Sequence, residues 1–399
     1  MRLSSLDSLR GIAALTVVFY HSLLVFPDLH DILAGRGVPY AVSGDVGALL
    51  LTTTPVSFLW AGREAVLLFF VLSGFVLALG FERPADARPG WVSFATRRVI
   101  RLIPPCIAVA LATGLLVALA EPAPRPGLSD WVNGSWTEAV TLGLLLDHAL
   151  LLGGDYTLNN PIWTLHYELR VSLIFPALML VAVAGSPVLA AAVAAGLVLC
   201  LVEMKFIGSG ALTMLLFMPH FALGVMLARN RAWLAARVRR LRGWSYGGLW
   251  LACYGLLTFR WLVPAGGLAC DLANGAGGAL LIILVLGSPR VARALEVPPL
   301  AWLGRVSYSL YLVHVPVLLA GLHLAPGLPA WVVAVLAPAA SIAAAAAVHW
   351  SVEAPSIRFA RHAGGWIDRR RPRRPMSRPA PPDGFGARTA AAAGRAWRW

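Results

Sequence analysis

A succession of apolar runs constrains this chain more than any other feature; they occupy residues 11–27, 65–81, 102–120, 161–184, 187–202, 211–228, 244–263, 272–288, 303–324 and 330–352. A helix rises about 1.5 Å per residue and a hydrocarbon core is about 30 Å thick, so each run covers most or all of a bilayer. The expected fold is an all-α integral membrane protein, a polytopic bundle of about ten transmembrane helices. Composition agrees: of 399 residues, 58% are hydrophobic and 13% charged, with a mean hydropathy of +0.73, far less polar than a soluble domain. A shorter apolar patch, residues 142–152, carries Asp147 and His148. It suits a re-entrant or interfacial segment better than an eleventh span.

The net charge of +14 does not imply nucleic acid, because the bases follow membrane topology. With the N-terminus inside, cytoplasmic segments hold Arg2 and Arg10, five arginines from Arg83 to Arg101, six from Arg229 to Arg242, Arg290, Arg293 and Arg305, and eleven in the tail. Together these are 27 of the 33 basic residues. Both termini are then cytoplasmic, and the expected location is the plasma (inner) membrane. The two longest outer loops are acidic, with Asp28, Asp31, Asp45 and Glu64 in one and Glu121, Asp130, Glu138, Asp147 and Asp155 in the other.

The first run is followed by Phe26, Pro27 and Asp28 with no small-x-small cleavage pattern, so it reads as a retained span. Residues 1–355 form the membrane domain. Residues 356–399, rich in Arg, Pro and Ala, read as a basic, disordered cytoplasmic tail touching anionic lipid. Cys106, Cys200, Cys253 and Cys270 lack CxxC spacing, and neither HExxH nor GxSxG occurs. No metal site, disulfide framework or serine elbow is indicated.

Ionisable residues inside spans are the functional candidates. Arg10 and His21 are eleven residues apart, about 1100° of helix, so they share one stripe with His21 roughly 16 Å further in. A histidine tied to a neighbouring carbonyl is the structural alternative. The span beginning after Pro161 carries His166, Glu168 and Arg170; Glu168 lies about 10 Å below Pro161, and His21 about 9 Å below Pro27, so the two are expected to meet. A carboxylate beside an imidazole fixes its tautomer and prepares it as a general base. His166 and Arg170, two residues either side of Glu168, point elsewhere on a helix.

Arg98 and Arg101, spaced i,i+3, suit either a phosphate-bearing ligand or ordinary positive-inside flanking. Ser73 and Gly74, within LFFVLSGFV (residues 68–76), read as helix packing. Ser307, Tyr311 and His314 line one face of the ninth span, either as cavity donors or as packing.

At these residues the chain resembles the acyltransferase family 3 membrane proteins, which O-acylate sugars, polysaccharides and macrolides. Arg10 and His21 match the family's Arg-x10-His, residues 69–75 its FFxxSGF, and Arg98 and Arg101 its RxxR. WTLHYE (residues 163–168) resembles its WTLxxE, SYSLYLVH (residues 307–314) its late-helix signature, and Glu353 with Pro355 its closing E-x-P. Some relatives continue into an SGNH-type hydrolase-like domain, and this chain ends in a basic tail instead.

The resemblance implies acyl-CoA as donor substrate, with acetyl-CoA the first case to consider, a catalytic histidine, and arginines that contact the donor or gate its entry; no metal is expected. The mechanism that joins resemblance to chemistry places CoA phosphates at Arg98 and Arg101 with Arg10 nearby. His21, oriented by Glu168, takes the proton of an acceptor hydroxyl, and Tyr311, Trp163 or His314 donates to the oxyanion. A covalent acyl-histidine is the other route. The acceptor class is a glycan, a lipid-linked sugar or a macrolide. The rival function is a transporter with an intramembrane His, Glu and Arg path; no broken helices recur in the two halves to support it.

Overall fold

The computed structural model describes residues 3–33, 46–82, 88–153, 155–183, 210–262 and 267–370. Among them helices are joined by turns and short loops, with no β-strand. The principal helices are α1 (Ser4–Leu23), α2 (Gly62–Phe81), α3 (Trp91–Ala120), α4 (Leu142–Leu150), α5 (Ile162–Val183), α6 (Gly210–Arg240), α7 (Gly243–Leu257), α8 (Leu268–Gly287), α9 (Pro298–Leu324), α10 (Ala330–Val348) and α11 (Ala354–Arg370).

Five stretches, Gly62–Phe81, Trp91–Ala120, Leu268–Gly287, Pro298–Leu324 and Ala330–Arg370, are long and apolar enough to cross a membrane. The other apolar runs behave differently. α1 contains Asp7 and Arg10, α7 has 15 residues, and the run at 187–202 lies outside the described residues. α4, at nine residues, is about 13 Å long and falls short of a crossing.

Small residues set the closest helix contacts. A Cβ on Gly11 would lie 2.6 Å from the Gly304 nitrogen, and one on Gly304 would lie 2.3 Å from the Asp7 carbonyl oxygen. α1 and α9 therefore touch backbone to backbone, as small residues permit. The same device joins α2 to α6, where a Cβ on Gly74 would meet Phe221 O at 2.1 Å and one on Gly224 would meet Val71 O at 2.1 Å.

Contacts along the bundle give its directions. Tyr308 pairs with Leu102, and Val117 clusters with Leu318 and Leu322, so α3 and α9 run the same way. Gly11 lies at Gly304 and His21 at His314, so α1 runs with them. α5 runs against all three. Its start is sunk inside the bundle: Asn159 donates to Leu312 O at 2.9 Å, and Thr164 reaches the Tyr311 hydroxyl at 2.8 Å.

The Leu23 end of α1 is capped by the loop after α3. Ser129 donates to Leu24 O at 2.5 Å and its N–H to Val25 O at 3.0 Å, while Arg125 holds the carbonyls of Leu322 and Pro326. Val25, Val132, Trp136, Leu158 and Val315 fill the space beneath.

At the Ser4 end, residues 354–370 form helix α11, where composition had suggested the start of a disordered tail. Ser356, Ala360 and Gly364 give it one small, buried face. Arg97 pairs with Asp368 at 2.5 Å, and Ser93 donates to Gly364 O at 3.0 Å. These contacts fasten α11 to α3, a partner that composition cannot reveal. Residues 371–399 lie outside the described residues. Cys106, Cys253 and Cys270 are buried and form no disulfide among the described residues, and Cys200 lies outside the described residues.

Candidate functional site

The polar residues of the bundle interior fall into two tiers. The first is charged. Arg98 Nη2 donates to Glu168 Oε1 at 2.9 Å and to Ser172 Oγ at 2.8 Å, and Ser73 donates to the same carboxylate oxygen at 3.1 Å. Arg10 and Arg101 stand within electrostatic reach of this pair. Three guanidinium groups thus surround Glu168, with Asp7 within electrostatic reach of Arg10, which leaves a local excess of positive charge. Arg98 Nε and Arg101 Nε are buried without a hydrogen-bond partner, so the tier has donors in reserve for an anion.

The second tier is neutral and lies nearer the Leu23 end of α1. His21 is 7% exposed and His314 1%. His21 Nδ1 sits 3.0 Å from Val17 O and 3.0 Å from His314 Nε2, while His314 Nδ1 sits 3.2 Å from Leu310 O. The Trp131 ring lies 5.4 Å from the His21 ring, and Tyr20 meets it edge-on at 5.2 Å. Tyr311 lies between the tiers, its ring 5.7 Å from both His314 and Phe69.

The expected meeting of Glu168 with His21 is replaced by Glu168 with Arg98. Thr164, four residues before Glu168, is already at Tyr311, halfway along α9. Glu168 is then about 6 Å on the Ser4 side of Tyr311 and His314 about 4.5 Å on the other side, leaving roughly 10 Å between the tiers. Pro161 is itself buried and not at the membrane surface, so Glu168 lies deeper than a count from Pro161 gives. His21 finds its partner on α9 instead.

Other candidates are distributed as follows. Trp163 packs on Phe217 and Tyr167, away from the histidines. Ser307 donates to Gly304 O of its own helix. His166 Nδ1 lies 2.9 Å from Leu151 O and Arg170 donates to Leu152 O, so both fasten the loop before α5 and neither pairs with Glu168.

Two features escaped sequence reasoning, and a third was marked only by its motif. Trp131 has no motif to mark it. Glu64, assigned to an outer loop, is 4% exposed in the first turn of α2 and is reached by Asn274 at 3.5 Å, beside the bidentate Arg63–Asp271 pair. Glu353 accepts from Ser309 at 2.6 Å and from His349 at 2.8 Å within a π-helical turn; the E-x-P pattern was its only signal.

Comparison with known proteins gives this arrangement its class. Residues 3–350 match the family described as an acyltransferase domain. The chain belongs to acyltransferase family 3. It is also similar to acyltransferase MdmB of Streptomyces mycarofaciens, 31% identical over 177 residues, which cover 44% of this chain and 39% of that protein. The alignment thus spans well under half of that relative's length. No solved structure matches the chain. Of the residues that carry the sequence resemblance, Arg10, His21, Arg98, Glu168 and His314 fall in the two tiers, whereas Trp163 and Glu353 lie outside them.

Proposed function

We propose that this acyltransferase is an integral plasma-membrane enzyme that moves an acyl group, in the simplest case acetyl, from acyl-CoA to a hydroxyl of a glycan or glycosylated acceptor. The observation that carries the reading is the juxtaposition of an arginine-rich tier, with unpartnered buried N–H groups, and a buried neutral histidine pair. The first suits the phosphates of a CoA donor arriving from the Ser4 end of α1, read as cytoplasmic from the distribution of arginines. The second suits proton transfer at the thioester.

In the proposed reaction the acceptor oxygen bonds to the thioester carbonyl carbon as its proton passes to His21. The C–S bond then breaks, and His21 returns the proton to the departing thiolate. Tyr311, adjacent to His314, is the nearest candidate donor to the developing oxyanion. Glu168 keeps Arg98 in place instead of orienting His21. Trp131 and the capping loop border His21 from the opposite end, so in this reading the acceptor approaches from that end and the donor from the arginine tier.

The test is thiol release from acetyl-CoA by the purified protein in liposomes, with hydroxyl-bearing glycans and macrolides offered as acceptors. Acceptor-dependent release that disappears in a folded His21→Ala variant supports the reading. Equal release by both proteins removes His21 from the chemistry, and acceptor-independent behaviour with every donor removes the transfer reaction itself.

A further inference from the structure

The hydrogen bonds of the histidine pair determine where its protons sit. A carbonyl oxygen only accepts, so a ring nitrogen bonded to one must carry a hydrogen. His314 Nδ1 lies 3.2 Å from Leu310 O, so Nδ1 is its N–H and, in the neutral ring, Nε2 is bare. His21 Nδ1 lies 3.0 Å from Val17 O and is likewise an N–H. The remaining contact, His314 Nε2 to His21 Nδ1 at 3.0 Å, is then satisfied in one way only: the His21 N–H is shared between Val17 O and His314 Nε2. Every contact agrees with one pair of tautomers, which leaves His21 Nε2 without a proton. Among the described residues Nε2 also has no hydrogen-bond partner.

We infer that His314 is a positioning residue, which holds His21 in the tautomer whose bare Nε2 receives the acceptor's proton. The inference rests on the reading of His21 as the base and adds to it the residue that prepares it. Val17 O alone is a weak device for the purpose, because an i−4 carbonyl is available to any helical histidine. His314 supplies a second acceptor from another helix, held in register by the Gly11–Gly304 contact between α1 and α9.

The same geometry favours the charged form of His21 during turnover. Once Nε2 has taken the proton, the Nδ1–H of the imidazolium faces two neutral acceptors, and charge-assisted hydrogen bonds are the stronger kind. A second proton on His314 Nε2 would point at the His21 N–H, so His314 stays neutral. Among the described residues the titratable groups against the pair are Tyr20 on α1 and Tyr311 on α9, and no carboxylate or guanidinium hydrogen-bonds to either ring.

The experiment compares His314→Leu, His314→Gln and His314→Asn in the acceptor-dependent thiol-release assay, each variant first shown to keep its thermal midpoint. Leu fills the space without an acceptor, so kcat falls by about 10²-fold with the donor KM unchanged, and the acid limb of kcat/KM moves to lower pH because imidazolium His21 has lost a partner. Gln carries its amide oxygen about as far out as Nε2 and restores kcat to within about tenfold along with the acid limb. Asn, one methylene shorter, does not.

A His314→Leu enzyme with unchanged kcat and pH profile overturns the inference, as does a Gln variant as impaired as the Leu variant. Should the Leu variant not fold, the contrast between Gln and Asn decides on its own: equal activities overturn it. If His21→Ala keeps full activity, the reading of His21 as base falls. A dead His21→Ala beside a normal His314→Leu leaves that reading standing and removes only the role of His314.

Discussion

The two tiers of this bundle keep polar groups inside an apolar protein by opposite means. The charged tier pairs unlike charges, Arg98 with Glu168, and still carries an excess of guanidinium groups. The histidine tier carries no formal charge and is stabilised by sharing one proton among Val17 O, His21 and His314. A fixed excess charge is suited to binding an anion, since arginine cannot release its proton. A neutral imidazole, with one bare ring nitrogen, is suited to accepting a proton. The separation of roughly 10 Å lets each behave independently, because a histidine beside three arginines would resist protonation.

The sharpest way to break this division is a steady-state comparison of one residue from each tier. His21→Ala should lower kcat by about 10³-fold, within the contribution of a positioned base, and leave the donor KM near its original value. Arg101→Gln removes one guanidinium without stranding Glu168, which keeps Arg98. Its donor KM should rise about tenfold, the loss of one hydrogen bond to a charged group, with kcat within a few-fold. A rise in donor KM for His21→Ala, or a collapse of kcat for Arg101→Gln, would merge the tiers into one.

Stability should divide in the same way. Arg98→Met leaves Glu168 buried with only Ser73 as a hydrogen-bond partner at its side chain. Removing one member of a buried ion pair costs about 3–5 kcal/mol. His314→Leu, which removes no charge, should cost far less, and thermal unfolding of both variants in detergent measures the difference. Similar losses would mean that the histidine tier, too, rests on charge.

How much of this was legible in the sequence follows from the range of the interactions involved. Apolar runs and the Arg10–His21 stripe depend on chain-local periodicity, and the helices Ser4–Leu23 and Pro298–Leu324 occur where the runs placed them. The members of the site were equally visible, because Arg98, Glu168 and His314 are polar where polarity is costly. Their pairing was not. It depends on where α5 begins in depth, and that is set by Asn159 and Thr164 meeting α9, a contact 147 residues or more away in sequence. Trp131 and Glu64 were missed because an aromatic in a loop and an acid at a span boundary look ordinary until the fold encloses them. Helix α11 was missed because its composition is that of a tail, and only its small face of Ser356, Ala360 and Gly364 fits it to α3.

The register of the tiers is itself testable at the α1–α9 contact. Gly304→Ala places a methyl 2.3 Å from the Asp7 carbonyl oxygen, which is backbone and cannot swing aside. The helices must separate, at about 1–3 kcal/mol for an overpacked interior. The rings of His21 and His314, 3.0 Å apart at their nearest nitrogens, move apart with them. Activity should therefore fall more than stability alone explains, and the donor KM should hold. A variant with lowered stability and full kcat would show that the histidine pair tolerates a loose register.

The smallest effect is expected at the cap. Ser129 donates to Leu24 O and accepts from the Val132 N–H at 3.3 Å, so its hydroxyl joins the last turn of α1 to the loop that carries Trp131. Ser129→Ala removes both bonds and leaves a buried carbonyl with one partner fewer, a loss of about 1 kcal/mol. Because the Ser129 N–H still bonds to Val25 O, the loop stays attached but loosens. The acceptor KM should rise a few-fold while donor KM and kcat hold, since Trp131 packs on His21, at the end of the site away from the charged tier. A change in donor KM instead would mean that the loop communicates with the arginines, and that the two ends of the bundle are coupled through α1.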